Sequence, residues 1–417
     1  MKYGCIAEKL SHSFSKEIHA QLFGYDYTLR EVPPNELDAF MRARDFAAIN
    51  VTIPYKQQVL PYLDEISDIA RRIGAVNTIV NQQGRLIGYN TDFLGLSALI
   101  KRAGLSLANK KVLVLGSGGT SKTALAVAET MGCRCVYRVS RNGRENCITY
   151  EQAAAEHADA QILINTTPCG MYPVLGETPV KLDAFPSLEG VVDAVYNPLR
   201  SQLVCDALKR GLVAVGGLYM LVAQAAYAAE KFTEQEVPVD KIEAIYTNMR
   251  QKKENIVLVG MPGCGKSTVG LGLADALGCD FIDTDREIET RQGRFIPDIF
   301  ERVGEAGFRD METAVIREIA SRQGAVIAIG GGAVLRAENV DWLRQNGRLY
   351  FLDRPLECLP VTQDRPLSSS RQALEQRYHE RYATYCAVCD RRVPVEENVD
   401  QTIKTIIEDV AYEDFGD

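Results

Sequence analysis

The chain has 417 residues, and at about 150 residues per domain this length predicts two or three domains. Hydrophobic residues make up 46% of the sequence and charged residues 24%, which excludes disorder or a collagen-like fold for most of the chain. The net charge is −8, so nucleic acid is not an expected partner. Any phosphate group must therefore be bound by a local element, such as a glycine loop, a helix N-terminus or a positioned arginine.

The cysteines and the hydropathy pattern bear on location. The N-terminal residues lack the apolar core of a signal peptide, and no segment approaches the ~20 apolar residues of a membrane span. The 11 cysteines are spread along the chain, so we expect reduced thiols, a cytoplasmic protein and no membrane partner. Cys386 and Cys389 form a lone C-x-x-C, which we interpret as two small semi-buried residues rather than a zinc or redox site. Nothing in the sequence indicates the oligomeric state.

Strand-like and helix-like segments alternate before residue 110. The apolar spacing predicts strands at 2–8, 47–54 and 75–90, and helices at 15–24, 34–43, 55–67 and 91–104. This alternation indicates an α/β domain, and the first glycine loop of the chain comes only after it. The nucleotide-binding unit is therefore predicted to be a second domain.

That glycine loop follows the apolar strand KVLVL and precedes a helical segment. Gly116 and Gly118 match the first two glycines of the dinucleotide-binding pattern G-x-G-x-x-G, Gly119 follows them, and Ser121 replaces the last glycine. The next strand ends at Ser140 and Arg141, where an NAD enzyme usually carries an acidic residue. Because arginine can pair with a 2′-phosphate, the loop favours NADP(H) over NAD. The alternative is that Arg141 and Arg144 are solvated loop charges.

Four polar clusters precede this loop, in segments that otherwise look like core or turn. Their candidate residues are Ser13, Ser15, Thr52, Lys56, Asn77 and Asp92. Each has an ordinary explanation by itself, such as a helix N-cap for Ser15 or Asp92. Their order ahead of a nucleotide loop favours a substrate site in a cleft between two domains.

With these motifs, residues 1–245 closely resemble the shikimate dehydrogenases, and INTTPCGMYP, DAVYNPLRSQLV and GGLYMLVAQAA extend the resemblance. The resemblance implies an α/β substrate domain and a Rossmann NADP domain. It also implies NADPH-dependent reduction of 3-dehydroshikimate to shikimate, with quinate-type enzymes as the nearest alternative. Chemically, the Lys56 ammonium can stabilise charge on the carbonyl oxygen and supply a proton, while Asp92 orients it.

The same resemblance implies a role for each matching residue. Lys56 and Asp92 form the catalytic pair. The substrate would be held by Ser13 and Ser15 at its carboxylate, by Thr52, Asn77 and Gln224 at its ring substituents, and by Tyr196 at the pocket wall. The cofactor would be held by Gly116, Gly118 and Gly119 at the pyrophosphate, by Ser140 and Arg141 at the 2′-phosphate, and by Gly217 at the nicotinamide.

A second phosphate-binding motif, GMPGCGKS, covers residues 260–267 and follows the apolar strand NIVLV. It fits G-x-x-x-x-G-K-[ST] at every position, so we predict ATP-dependent phosphoryl transfer. Lys266 reaches the transferring phosphate and Ser267 can ligate Mg²⁺. The predicted ATP-binding residues are Gly263, Cys264, Gly265, Lys266, Ser267 and Thr268.

The acceptor side of this second site follows the motif. Asp283 and Asp285 end an apolar strand, and on an extended backbone their side chains point the same way. Such neighbouring carboxylates suit a metal ion or substrate hydroxyls. Arg309 lies in GEAGFRDME, and a later apolar strand ends in Gly330, Gly331 and Gly332.

Residues 253–412 resemble the shikimate kinases, which have a P-loop α/β fold with a parallel sheet. The resemblance implies that Asp283 holds Mg²⁺ through water and that Asp285 binds the substrate hydroxyls as base or orienter. It also implies that Arg309 and Arg381 bind the substrate carboxylate, that Gly330, Gly331 and Gly332 line the site, and that Arg365 is a catalytic lid arginine. Pro360 and Val361 depart from the family pattern at the lid.

Together these features predict a bifunctional enzyme of two consecutive shikimate-pathway steps, which uses NADPH, ATP and Mg²⁺ in aromatic amino acid biosynthesis. The predicted domains are a substrate domain at 1–97 with a return at 219–250, an NADP domain at 98–218, and a kinase domain at 253–417. The alternative is an active dehydrogenase joined to a kinase-like domain that senses a ligand without catalysis. Channelling of shikimate between the two sites does not follow from the sequence.

Overall fold

The computed structural model describes residues 1–10, 14–144, 146–360 and 370–412. Within these ranges the strands form three β-sheets that follow one another along the chain. Across the same residues, no helix combines the length and the apolar composition that crossing a bilayer requires.

The first sheet is mixed and is built from the N-terminal segments. Its elements are β1 (Tyr3–Ala7), α1 (Ser15–Leu22), β2 (Tyr27–Glu31), α2 (Leu37–Ala43), β3 (Ala48–Val51), β4 (Glu65–Ile66), α3 (Asp68–Ile73), β5 (Thr78–Gln82), β6 (Arg85–Tyr89) and α4 (Thr91–Arg102). The strand order is β2-β1-β3-β5-β6-β4. β1 runs parallel to β2 and β3, whereas β5 runs antiparallel to β3 and β6.

Residues 55–67 differ from the sequence prediction of a helix. They form turns, a short 3₁₀ segment at Leu60–Tyr62, and β4. Pro61 lies inside this segment, and proline both lacks the N–H that an α-helix needs and clashes with the preceding turn. Tyr55 and Val59 are fully buried here, so the segment is anchored by its apolar side chains without becoming an α-helix.

The second sheet is entirely parallel. Its elements are β7 (Lys111–Leu115), α5 (Gly119–Thr130), β8 (Cys135–Val139), β9 (Cys147–Ile148), α6 (Tyr150–Glu156), β10 (Ile162–Asn165), β11 (Gly190–Asp193), α7 (Gln202–Lys209) and β12 (Val213–Val215). The order is β12-β11-β10-β7-β8-β9, the doubly wound order of Rossmann folds. The order reverses between β7 and β10, and ligands of such sheets bind at the carboxyl ends of the strands at that point.

Two helices after the second sheet, α8 (Leu218–Thr233) and α9 (Val239–Gln251), lead back to the first sheet. Ala228 and Phe232 of α8 pack in one apolar cluster with Cys5 and Tyr27 of the first sheet. α8 also packs along α4. α8 therefore begins just after the last strand of the second sheet and packs on the first sheet with its C-terminal half.

The third sheet is also parallel. Its elements are β13 (Asn255–Val259), α10 (Lys266–Leu277), β14 (Phe281–Asp283), α11 (Thr284–Gln292), α12 (Ile296–Ile319), β15 (Val326–Ala328), α13 (Ala337–Asn346), β16 (Gly347–Asp353), α14 (Arg371–Val388), β17 (Arg391–Pro394) and α15 (Val399–Tyr412). The order is β14-β15-β13-β16-β17, and all five residues of the central β13 are buried. Continuous burial is typical of parallel strands covered on both faces. The predicted α/β class is confirmed.

The third sheet packs on the second through the loop that follows β11. Arg200 of this loop donates its backbone N–H to the carbonyl of Gln345 at 2.9 Å, and its guanidinium lies 2.8 Å from Glu254. Farther out, Lys209 and Asp341 form an ion pair at 2.5 Å. The connection between α9 and β13 spans only residues 252–254. The two halves of the chain are thus held by polar contacts as well as by a short covalent link.

Candidate active sites

An ion pair forms the centre of the first candidate site. Lys56 Nζ donates to Asp92 Oδ2 at 2.6 Å, and both side chains are mostly buried, at 22% and 13% exposed. Lys56 lies in the turn after β3, and Asp92 lies in the first turn of α4, where the helix dipole favours a carboxylate. Asn90 caps this helix by accepting the N–H of Phe93. The pair therefore joins the end of a strand to the start of a helix.

Asn77 lies beside this pair and is 3% exposed. Its Oδ1 accepts the backbone N–H of Thr91 at 2.7 Å, and its Nδ2 donates to Thr91 Oγ1 at 3.1 Å. Asn77 thus connects the start of β5 to the first turn of α4, which carries Asp92. Thr52, half-buried after β3, accepts the N–H of Tyr55 through its carbonyl. Both candidates lie at the edge of the sheet that presents Lys56.

Tyr196 comes to this site from the second sheet, in the loop after β11. Its ring packs edge-on against Phe14, with centroids 5.7 Å apart. Burial raises the pKa of the Tyr196 hydroxyl, and the nearby Lys56 ammonium partly offsets that rise. Ser15 follows Phe14 as the first residue of α1. The fold therefore gathers residues that are far apart in sequence.

Gln224 lies on α8, where its Nε2 donates to the carbonyl of Leu221 at 2.9 Å. Gly95 of α4 approaches it so closely that an added Cβ would lie 2.9 Å from Gln224 Cβ. α8 begins after Gly217, whose N–H donates to the Val195 carbonyl at 2.8 Å. Gly217 and Gln224 thus reach the site on one helix, next to the loop that carries Tyr196.

The dinucleotide loop runs from the end of β7 to the start of α5. Gly116 has φ +117°, and an added Cβ would lie 2.6 Å from Thr166 Oγ1, so a side chain is excluded here. Gly118 caps α5 and Gly119 begins it. An added Cβ at either position meets no described atom within 4 Å, so the N-terminus of the helix opens onto space. Such a terminus fits a diphosphate.

Ser140 and Arg141 follow β8 at the same edge of the sheet. Ser140 is 7% exposed and its Oγ lies 3.4 Å from Asn142 Oδ1, whereas Arg141 is exposed. A guanidinium beyond this strand end is chemically suited to a 2′-phosphate. The described residues of this loop therefore fit NADP(H).

The P-loop joins β13 to α10. Gly265 caps the helix, and Lys266, Ser267 and Thr268 form its first turn, while Gly263 and the buried Cys264 precede the cap. Lys266 Nζ donates to the carbonyls of Gly260 at 2.9 Å and Met261 at 3.1 Å. The ammonium thus lies along the loop whose N–H groups are suited to a phosphate.

Ser267 Oγ donates to Asp283 Oδ2 at 2.7 Å. A hydroxyl and a carboxylate are hard oxygen ligands of the kind that Mg²⁺ prefers. This pair therefore fits the predicted Mg²⁺ site, beside the phosphate loop.

The extended backbone expected between Asp283 and Asp285 is wrong. β14 ends at Asp283, which caps α11 and accepts the N–H of Asp285 at 3.0 Å, so Asp285 lies in the first helical turn. Aspartate is a favoured N-cap, which explains the early start of the helix. Asp285 is directed toward the glycines after β15 instead, because an added Cβ on Gly330 would lie 3.0 Å from Asp285 Oδ1.

The half-buried Arg309 and the buried Arg381 lie near the glycines after β15. Arg309 Nη1 lies 2.6 Å from Glu312 Oε2, and Glu312 is fully buried. Burial raises the pKa of the Glu312 carboxyl, although Arg309 opposes that rise. Arg381 is 3% exposed, burial lowers its pKa, and its Nε finds no hydrogen-bond partner among the described residues. Two guanidinium groups facing one buried carboxylate fit an anionic ligand.

The three glycines leave room for these groups. An added Cβ on Gly332 would lie 2.2 Å from Arg309 Nη2. Gly330 donates its N–H to Thr284 Oγ1 at 3.0 Å, and the carbonyl of Gly331 accepts the hydroxyl of Tyr385. The backbone of the glycines is thus fixed by two side chains from neighbouring helices.

Sequence reasoning missed several residues of this second site, namely Glu312, Thr284 and Tyr385. Glu312 had a signal, because it follows Arg309 by one helical turn in the segment GEAGFRDME. Three predicted residues, Ser13, Val361 and Arg365, lie outside the described residues. Pro360 lies against the P-loop, since an added Cβ on Gly263 would come within 2.9 Å of its ring.

Cys386 lies in the last turn of α14, and Cys389 caps that helix. Cys389 Sγ lies 3.6 Å from the carbonyl of Cys386. Across the described ranges, His, Cys, Asp and Glu side chains form no group of three that could hold a metal ion.

The fold and the two sites together define a class of protein. A Rossmann sheet with a glycine loop, in a chain that also carries a mostly buried Lys–Asp pair, is typical of a dinucleotide-dependent oxidoreductase. A parallel sheet with a complete P-loop is typical of a phosphoryl transferase. The chain thus combines an oxidoreductase unit with a kinase unit.

Comparisons with known proteins agree with both units. Residues 5–79 match the model of the shikimate dehydrogenase substrate binding domain, and residues 217–245 match that of the shikimate 5′-dehydrogenase C-terminal domain. Residues 262–411 match the shikimate kinase model. Shikimate dehydrogenase (NADP(+)) of Clostridium beijerinckii is 36% identical over 262 residues, which cover 59% of this chain and 96% of that protein. The chain therefore belongs to the shikimate dehydrogenase family, with a shikimate kinase domain fused after it.

Solved structures agree for the first unit. A chorismate mutase/shikimate 5-dehydrogenase fusion protein from Clostridium acetobutylicum is 34% identical, with a TM-score of 0.57, and the match covers 60% of this chain and 97% of that one. Shikimate 5-dehydrogenase from Thermus thermophilus, solved with NADP(H) and shikimate, is 28% identical with a TM-score of 0.54, over 60% of this chain and 99% of that one.

Proposed function

We propose that the chain is a bifunctional enzyme. It reduces 3-dehydroshikimate to shikimate with NADPH and then phosphorylates the 3-hydroxyl of shikimate with Mg-ATP, on the route to chorismate and the aromatic amino acids. The observation that carries this proposal is that each unit brings two of its predicted site residues into contact: Lys56 with Asp92, and Ser267 with Asp283.

In the first site, Lys56 and Asp92 act on the substrate oxygen while bound NADPH supplies the hydride. The Lys56 ammonium stabilises the charge that develops on the carbonyl oxygen and donates a proton to it. Asp92 holds the ammonium in place through its 2.6 Å contact and accepts a hydrogen bond from a ring hydroxyl. Ser13 and Ser15 bind the carboxylate, and Thr52, Asn77, Tyr196 and Gln224 complete the pocket.

In the second site, bound Mg-ATP supplies the phosphoryl group, and the residues of the chain position the acceptor. Arg309 and Arg381 bind the shikimate carboxylate, because they carry more positive charge than Glu312 neutralises. Asp285 orients the acceptor hydroxyl. Lys266 and Arg365 stabilise the transferring group, and Ser267 and Asp283 hold the metal ion.

We assign three domains to these activities. Residues 1–97 with 219–250 form the substrate domain, residues 98–218 the NADP domain, and residues 253–417 the kinase domain. The polypeptide works on small-molecule substrates, and its expected cytoplasmic location stays a prediction from the cysteine pattern. All 11 cysteines lie in the described ranges and are free thiols.

A coupled assay tests the proposal directly. Purified protein receives 3-dehydroshikimate, NADPH and Mg-ATP together, and mass spectrometry follows the products. We expect NADPH oxidation, accumulation of shikimate when ATP is omitted, and shikimate 3-phosphate when ATP is present. Shikimate that accumulates with ATP present and binds without being phosphorylated would instead assign the third sheet to ligand sensing. Absence of NADPH oxidation would remove the dehydrogenase assignment.

A further inference from the structure

Lys253 lies in the short connection between the dehydrogenase and kinase units, yet it is only 7% exposed. Its Nζ lies 3.3 Å from the centroid of the Phe14 ring. Burial lowers the pKa of this ammonium, with Glu17 opposing the shift and Lys252 adding to it. An aromatic face stabilises a cation electrostatically, most of all where water is excluded. The Phe14 ring is therefore the surface on which the buried ammonium rests.

Phe14 in turn contacts the substrate site of the dehydrogenase unit. It precedes Ser15 in the chain, and its ring meets that of Tyr196 edge-on, with an interplanar angle of 71°. An edge-to-face pair of this kind favours one orientation over others. The position of Phe14 thus affects both the start of α1 and the Tyr196 ring.

A side chain of the kinase unit closes this set of contacts. Gln323, in the loop between α12 and β15, donates through Nε2 to Asn197 Oδ1 at 2.6 Å. Its Oε1 accepts from Lys253 Nζ at 3.4 Å. Asn197 follows Tyr196 in the chain, so the contacts run from Lys253 through Phe14, Tyr196, Asn197 and Gln323 back to Lys253. We call these five residues, Lys253, Phe14, Tyr196, Asn197 and Gln323, the interface ring.

We propose that Lys253 and Gln323 are positioning residues of the dehydrogenase reaction, through which the kinase unit sets the orientation of Phe14 and Tyr196 at the substrate pocket. The proposal rests on the dehydrogenase function proposed above. Neither residue touches the substrate. Lys253 acts through Phe14, and Gln323 acts through Asn197, the neighbour of Tyr196. Both residues lie beyond the region that resembles a dehydrogenase.

The neighbouring lysine offers a matched comparison. Lys252 forms an ion pair with Glu17 at 3.0 Å, but the two side chains are 58% and 40% exposed. Exposed pairs of this kind contribute little free energy. The two adjacent lysines therefore both bridge the units, and only Lys253 reaches the wall of the pocket.

Steady-state kinetics of Lys253→Met test the proposal in the full-length chain. This change removes the charge and keeps an apolar side chain of similar length. We expect KM for 3-dehydroshikimate to rise about three- to tenfold, with kcat, KM for NADPH and kinase activity close to those of the wild type. Lys253→Arg is expected to restore KM, since guanidinium also binds aromatic faces. Lys252→Met is expected to leave every constant unchanged.

An unchanged KM in Lys253→Met would overturn the proposal, and so would an equal effect of Lys252→Met. If Lys253→Met also lowers kinase activity, Gln323→Ala decides, because it breaks the contacts to Asn197 and Lys253 while the Lys253 ammonium stays over the Phe14 ring. A selective rise in KM for 3-dehydroshikimate then supports the proposal, and an unchanged KM contradicts it. Absence of NADPH oxidation by the wild type would reject the proposed function itself, which keeps the two failures distinct.

Discussion

The guanidinium of Arg200 lies 2.8 Å from the carboxylate of Glu254 and also donates to the carbonyl of Gly347 at 2.9 Å. Arg348 approaches the same carboxylate at 3.8 Å. Burial by itself raises the pKa of the Glu254 carboxyl, but the two arginines outweigh that effect and hold the pKa below its usual value. The Glu254 carboxylate thus pairs with two guanidinium groups at the junction of the dehydrogenase and kinase units.

Glu254 therefore makes the junction sensitive to acid. Its pKa in the folded protein is lower than in the unfolded chain, so its contribution to stability is complete above about pH 5 and is lost as the pH falls below the usual glutamate range. We expect Glu254→Gln to lower the free energy of unfolding at pH 7 by about 3 kcal/mol. We also expect this variant to lose less stability than the wild type as the pH falls below about 5. Urea unfolding at several pH values measures both effects.

Asp341→Asn is the control for this prediction. It removes a more exposed ion pair of the junction, in which Lys209 is 41% exposed and Asp341 25%. We expect a loss of less than about 1 kcal/mol and the same acid profile as the wild type. If the free energy of unfolding of Glu254→Gln changes with pH in the same way as that of the wild type, the role given to this carboxylate is contradicted.

Substitution of the lysine in either active site is expected to lower one activity and leave the other intact. Lys56→Ala removes the proton donor beside Asp92 and is expected to lower NADPH oxidation by about a hundredfold or more, with shikimate phosphorylation intact. Lys266→Ala removes the cation of the P-loop and is expected to have the reverse effect, of about a hundredfold or more. Lys110→Ala, which removes an exposed pair with Glu189, should change neither rate. Loss of both activities in a folded single variant would contradict the two-site arrangement.

Arg141 is expected to set the cofactor preference. Arg141→Ala removes the guanidinium proposed to meet the 2′-phosphate, and we expect kcat/KM for NADPH to fall by about ten- to a hundredfold. The value for NADH, which lacks that phosphate, should stay the same. Arg134→Ala provides the control, since Arg134 lies just before the other end of β8 and is 57% exposed. An equal decrease with both cofactors would show that Arg141 does not recognise the phosphate.

Glu312 is expected to hold Arg309 in place for the kinase substrate. Glu312→Ala leaves the mostly buried Arg309 without its 2.6 Å partner, so we expect KM for shikimate to rise about tenfold or more. Glu305→Ala is the matched control, because Glu305 lies 3.5 Å from the same arginine and is 47% exposed. Kinase assays at varied shikimate and saturating Mg-ATP measure the difference. If both changes raise KM for shikimate equally, the prediction that the buried Glu312 carboxylate holds Arg309 in place is contradicted.

Much of the architecture could be predicted from local patterns. The two apolar strands followed by glycine loops predicted parallel sheets with phosphate-binding turns, and the Rossmann order of the second sheet and the parallel third sheet confirm this class. Such signals are short-range, because a strand, a turn and a helix N-terminus occupy adjacent residues. The assignments of individual site residues stay predictions until the variants are measured.

The misjudged segments show where local patterns are insufficient. The helix expected at 55–67 does not form, because Pro61 interrupts it while buried Tyr55 and Val59 keep the apolar spacing. The capping of α11 by Asp283 overrides the extended geometry assumed for Asp285. In both cases a single side chain, that of Pro61 or Asp283, changes the backbone conformation. The spacing of the apolar residues in the sequence does not reveal this change.

The interface ring could not be predicted from the sequence at all. Phe14 and Lys253 are separated by almost the whole dehydrogenase unit, and their contact depends on how α9 returns to the first sheet. Gln323 has no motif, and its significance comes only from its contact with Asn197. Long-range contacts of this kind carry no periodic signal.

The connection at residues 252–254 has a consequence for the strength of the junction. A short tether makes docking intramolecular, with an effective concentration on the order of millimolar. Polar contacts too weak to hold two separate polypeptides at micromolar concentration are then sufficient to keep the units together. A chain cut between residues 252 and 253 would keep both cofactor loops, yet its halves would separate on dilution, and the Phe14 ring would lose its contact with the Lys253 ammonium.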